Sequence, residues 1–137
     1  MTREIKFRGK RLSDGEWIYG DLLHNVDCVK IREWEADVNQ IPKSYVVDEN
    51  TIGQYTGFKD KNEREMYEGD IVNLASEETE PFMRNIPLVV RRYVDGQFVL
   101  VDRLGCRDFL VTNIVEVIGN IHDNPELLKT KGEIKNE

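Results

Sequence analysis

GQYTGFKDKNEREMYEGDIV, residues 53–72, is the most informative stretch of the chain. Gly53 and Gly57 punctuate apolar and aromatic residues, Lys59 to Arg64 form a polar turn, and Gly69-Asp70 leads straight into the β-branched Ile71-Val72. Glycine accepts positive φ without a Cβ penalty, so this spacing predicts short, sharply bent strands and not a helix. Glu65, Glu68 and Asp70 invite a catalytic reading, because neighbouring carboxylates can separate their pKa values to do acid and base work. The bland reading is preferred: an Asp after Gly at a strand entrance accepts hydrogen bonds from nearby backbone N–H groups and fixes the turn. No histidine or metal motif accompanies these acids.

Upstream, Asp14-Gly15 lies between alternating apolar residues and predicts a two-residue type I′ hairpin. That turn would set Leu12 opposite Trp17, Phe7 opposite Leu22, Arg8 opposite Asp21 and Gly9 opposite Gly20. Downstream, Asp95-Gly96 joins LVVRRYV (88–94) to QFVLV (97–101). A two-residue turn there places Leu88, Val90, Val94, Val99 and Val101 on the core face, with Tyr93 paired to Phe98 on the other. Arg92 is then the discordant member of the apolar face. FLV (109–111) and IVEVIGNI (114–121) read as further short strands.

Two patterns compete between residues 28 and 41. Val29 and Ile31 alternate as in a strand, whereas Ile31, Trp34, Val38 and Ile41 fall at helical spacing; a strand running into a polar loop is preferred. Asn124, Pro125 and Glu126 have the residue types of a helix start, with Leu127 and Leu128 able to dock. Residues 76–87, with three acids and two prolines, read as an exposed loop between strands, and KTKGEIKNE (129–137) as a polar tail.

The 137 residues carry 19 Lys and Arg against 26 Asp and Glu, a formal net charge of -7, which argues against indiscriminate phosphate binding and makes a nucleic-acid partner unexpected. Residues 1–32 nevertheless hold seven basic and five acidic side chains, and Arg3, Lys6, Arg8, Lys10 and Arg11 could form one stripe. Protection of a strand edge is the preferred explanation for it. Nothing reads as an export signal or a membrane span, so a cytoplasmic protein with free, packing thiols at Cys28 and Cys106 is expected. His24 and His122 stand in turn-like contexts, and no phosphate loop, dinucleotide turn, nucleophile elbow or zinc-helix motif is present. No catalytic, cofactor-binding or metal-ligating residue is therefore assigned.

Three blocks carry a resemblance. Residues 53–72 are similar to the hallmark of the YopX family of phage and prophage proteins, close to G-Q-[YF]-T-G-[LF]-K-D-K-N-G-x-x-[IY]-[YF]-E-G-D-I-V. KFRGKRLSDGEWIYGDLL (6–23) and VIGNIHDNPELL (117–128) resemble its two other recurrent stretches. The resemblance implies a mainly β protein with an SH3-type small barrel in its later part, encoded by mobile elements and without an assigned activity; it transfers no site residues. Where relatives have Asn-Gly, this chain has Asn62-Glu63, and a Glu at positive φ costs about 1 kcal/mol or more, so a longer loop or another turn type is expected.

The resulting expectation is a mainly β fold: an amino-terminal β ribbon (residues 1–49) packed on a small SH3-type barrel (50–128) with a short C-terminal helix, then the polar tail (129–137). The expected function is a non-catalytic binding or interaction module in the host cytoplasm, with a host protein as partner. Its candidate surface is Tyr55, Phe58 and Tyr67 with Lys59, Lys61 and Arg64, unless those aromatics fill the core. A self-assembling homo-oligomer is the first alternative, and a small hydrolase using Glu65, Glu68 and Asp70 around Mg²⁺ the second.

Overall fold

A computed structural model describes residues 4–34, 41–74, 86–93, 95–102, 108–110 and 114–128. It contains the strands β1 (Phe7–Arg11), β2 (Trp17–His24), β3 (Val29–Glu33), β4 (Ser44–Lys59) and β5 (Glu65–Tyr67). β6 (Asp70–Leu74), β7 (Leu88–Arg92), β8 (Phe98–Asp102), β9 (Asp108–Leu110) and β10 (Val115–Asn120) follow, then a single 3-10 turn, Pro125–Leu128. The mainly β fold read from the sequence is present, as two antiparallel sheets. Among the described residues, no helix is long and apolar enough to cross a membrane.

The chain divides into two compact units, Met1–Gly57 and Phe58–Glu137, so the boundary expected at 49/50 falls inside β4. In the first unit β1 and β2 form the amino-terminal ribbon, which β3 and β4 extend. β1 also pairs with β4, Phe7 opposite Gln54 and Lys10 opposite Asp48, with a bulge between Arg8 and Lys10. β1 is thus not an edge strand, which overturns edge protection as the reason for its basic side chains. Several of those cations lie over rings instead: Arg8 is 4.6 Å from the Trp17 ring centre and Arg11 4.8 Å from that of Tyr45. Ile18, Val29, Ile31 and Val47 form this unit's core, and Gly9 lies over it, where an added Cβ would meet Val47 at 3.1 Å.

The first hairpin departs from the expected register by two residues. Phe7 lies opposite Gly20, Gly9 opposite Ile18 and Lys10 opposite Trp17, so the faces are kept but the loop lengthens to Leu12-Ser13-Asp14-Gly15. Only Gly15 takes positive φ in that loop; Asp14 stays out of it and uses Oδ1 to accept the N–H of Glu16 and a bond from Arg11. Arg8 lies opposite Tyr19 and not Asp21, and Asp21 lies opposite Arg32 and pairs with it at 3.0 Å.

The second unit's strand order is β10-β6-β7-β8-β9, and the described pairings do not close it into a barrel. Its second hairpin differs from expectation by one residue, because Tyr93 and Gln97 close a three-residue connection. Val90 consequently faces Leu100, and Phe98 faces Arg92. A one-residue slip exchanges faces, so Leu100 joins Leu88 and Val90 in a core cluster with Met66, Val72, Leu74 and Val115; Val99 is buried as expected but on the other face, and Val101 is half-buried. Each such fully buried aliphatic side chain contributes roughly 1.5–3 kcal/mol. Arg92 points to solvent.

Of the ambiguous stretch, β3 is a strand ending at Glu33; Trp34 and Ile41 are exposed, and residues 35–40 lie outside the described ones. Val94, Cys106, Val111, the expected loop at 76–85 and the tail from 129 also lie outside them. Cys28 is a half-buried free thiol. At the C-terminal turn Asn124 does not cap: its Oδ1 accepts the N–H of Asn120, and its side chain lies so near Gly119 that a Cβ there would come within 2.6 Å.

Candidate functional site

Residues 53–72 cross the division between the units. In the first, Gln54, Tyr55 and Thr56 are buried at the end of the long strand β4. The second begins at Phe58, and there the polar turn is built on Asp60, itself only 2% exposed. Asp60 Oδ1 accepts the N–H groups of Asn62 and Arg64, both at 2.8 Å, and Oδ2 accepts that of Val117 at 3.0 Å. Beside it, the Lys61 N–H donates to the Val115 carbonyl at 2.9 Å. Along β10 the groups of Val115 and Val117 point away from β6, so the turn occupies the edge that a further strand would take. Asn62 Nδ2 donates to Glu116 at 3.1 Å and adds a side-chain clasp.

Burial would raise the Asp60 carboxyl pKa, but the three backbone donors outweigh it and hold the pKa below the usual carboxylate value. Glu63 sits at φ 67°, alone among the described non-glycine residues in taking positive φ. Position 63 therefore keeps the backbone geometry that suits glycine.

The second bend follows the same logic. Asp70, also 2% exposed, accepts the N–H of Tyr67 through Oδ2 at 2.8 Å. Gly69 takes φ 91°, donates to the Val90 carbonyl and accepts from Ile121 N–H, which fixes this bend between β7 and the end of β10. Glu65 accepts the Tyr67 hydroxyl at 3.0 Å. Among the described residues, no group of three or more His, Cys, Asp and Glu side chains is arranged to hold a metal ion.

The expected surface residues separate. Tyr55 and Tyr67 are 5% and 2% exposed, so the core reading holds for them: each is a large ring turned inward. Phe58 is 49% exposed, and Lys59, Lys61 and Arg64 are exposed around the turn that Asp60 holds, Lys61 lying 3.9 Å from Glu116. A shallow depression of about 460 Å³ in the same unit is lined by Glu68, Arg92, Tyr93, Asp95 and Gly96 and by none of the expected residues. Asp60 is the residue that sequence reasoning missed. The available signal was its position two before Asn62 at the mouth of a polar turn, where an Asp side chain bonds the backbone two residues on.

Comparison with known proteins adds a family and a fold. The family model described as YopX protein matches residues 6–129. Curated proteins gave no match. Among solved structures the chain is similar to protein EF1440 from Enterococcus faecalis, at 25% identity and a TM-score of 0.57, over 93% of this chain and 100% of that one.

Proposed function

Because this chain belongs to the YopX family, and because its most characteristic stretch spends its buried carboxylates on backbone, we propose that it is a non-catalytic interaction module acting on a host protein in the bacterial cytoplasm. One observation carries this reading. Asp60 and Asp70 are turned onto N–H groups, while Phe58 stands half-exposed in the same unit as the exposed Lys59, Lys61 and Arg64. The exposed ring supplies apolar contact area and the cations charge selectivity, and aromatic residues and Arg are the types enriched at protein interfaces. The complementary partner surface is acidic with an apolar pocket.

Affinity capture from host lysate, with and without nuclease, tests the proposal when run beside Phe58→Ala and Arg64→Glu. A discrete protein retained after nuclease and lost with both variants is the expected result. Capture unchanged by either substitution, or no protein retained after nuclease, overturns it.

A further inference from the structure

The first unit has a second face that the reading above does not use. Strand alternation places Trp17, Tyr19 and Asp21 of β2 on the side opposite the core residue Ile18, and cross-strand register brings Arg8 and Lys10 of β1 and Arg32 of β3 to that same side. Two rings on it are open to solvent, Tyr19 at 42% and Trp34 at 47%. The Trp34 ring is held in position: its Nε1–H donates to Asp21 Oδ1 at 2.9 Å, and the Lys6 ammonium lies 5.1 Å from its centre. Trp17 lies between cations, with Arg8 at 4.6 Å and Lys10 at 5.6 Å from its ring centre. Arg32 keeps 48% of its side chain in solvent. Among the described residues, Lys6, Arg8, Lys10 and Arg32 here stand against Glu4, Asp21 and Asp48, a small excess of positive charge on a chain whose net charge is -7.

We propose that this face of β1 to β3 binds single-stranded nucleic acid, with bases stacking on Trp34 and Tyr19 and with Lys10 and Arg32 meeting the phosphates. Stacking platforms interleaved with cations recognise unpaired bases whatever their sequence, because every base has a π-face. A duplex hides those faces, and the acidic remainder of the chain repels its denser charge. The net negative charge thus fits local single-strand recognition and not general DNA binding.

The test is fluorescence anisotropy with a labelled single-stranded DNA of about 12 nucleotides, within the usual site size. The same strand as a duplex is run in parallel, at about 50 and 200 mM salt. Binding of the single strand that weakens with salt is expected, together with a loss on the order of tenfold for Trp34→Ala and for Tyr19→Ala. Trp34→Phe, which keeps a ring, should retain most of the affinity, and Arg32→Glu should lower both affinity and salt dependence. Circular dichroism of each variant confirms that the fold persists. No single-strand binding at low salt, equal or tighter binding of the duplex, or full affinity in both alanine variants overturns the proposal. The result is independent of capture through Phe58 and Arg64, which lie in the other unit.

Discussion

The carboxylate of Asp60 accepts the backbone N–H of Val117 at 3.0 Å, joining positions 57 residues apart. A side chain here does what a neighbouring strand's carbonyl would do for β10, and its other oxygen closes its own turn onto Asn62 and Arg64. Asp60→Ala strands three backbone donors, and the expected cost is about 3 kcal/mol in urea unfolding. Asp60→Asn should recover only part of this, because the amide offers one acceptor oxygen and sets an N–H against a donor.

If Asp70 is a bracket for the Tyr67 N–H, Asp70→Ala lowers stability by about 2 kcal/mol. Mg²⁺ should leave the thermal midpoint of the native protein unchanged. A midpoint that rises with Mg²⁺ and ceases to do so in Asp70→Asn would favour the hydrolase alternative instead.

Glu63 at φ 67° occupies backbone space in which a side chain is strained. Left-handed geometry costs a non-glycine residue roughly 1–2 kcal/mol, and glycine's greater freedom in the unfolded chain returns part of that. Glu63→Gly is expected to raise unfolding free energy by about 0.5–1 kcal/mol. A loss of stability would mean that the Glu63 side chain makes a contact worth more than the strain.

At Gly20 the limit is space. An added Cβ would stand 1.9 Å from the Arg32 carbonyl oxygen, an atom of the β3 backbone and not a movable side-chain tip. Gly20→Ala should therefore cost about 3 kcal/mol or more, whereas Gly15→Ala, with nothing near its Cβ, meets only backbone strain. Because Gly20 also takes positive φ, at 156°, thermal unfolding reads the crowding as the excess of its loss over that at Gly15.

Much of this fold was legible because its determinants are local. The Gly69-Asp70 bend, the strand at Val29 and Ile31, and the turn at Pro125 each depend on a few adjacent residues, and each formed where the sequence put it. Register was less legible. Asp14-Gly15 and Asp95-Gly96 match two-residue hairpins by type, but neither Asp14 nor Asp95 takes positive φ, and both loops lengthen around an Asp that accepts the N–H two residues on. The Asp60 clasp was hidden for a different reason, since its partner is 57 residues away. Burial of Tyr55 and Tyr67 beside exposed Phe58 likewise depends on packing that residue type does not disclose.

The central claim, that buried carboxylates of residues 53–72 hold backbone and are not poised for acid or base chemistry, is tested most directly by NMR titration of the Asp60 carboxyl carbon. Its pKa is depressed in the folded state, so the stability it supplies is full above the ordinary carboxylate value of about 3.9 and is lost as pH falls through the lower folded value. The expected midpoint lies below about 3.9, with the Val117 amide shift moving in step. A midpoint raised toward neutrality, or a Val117 amide indifferent to it, would contradict the claim.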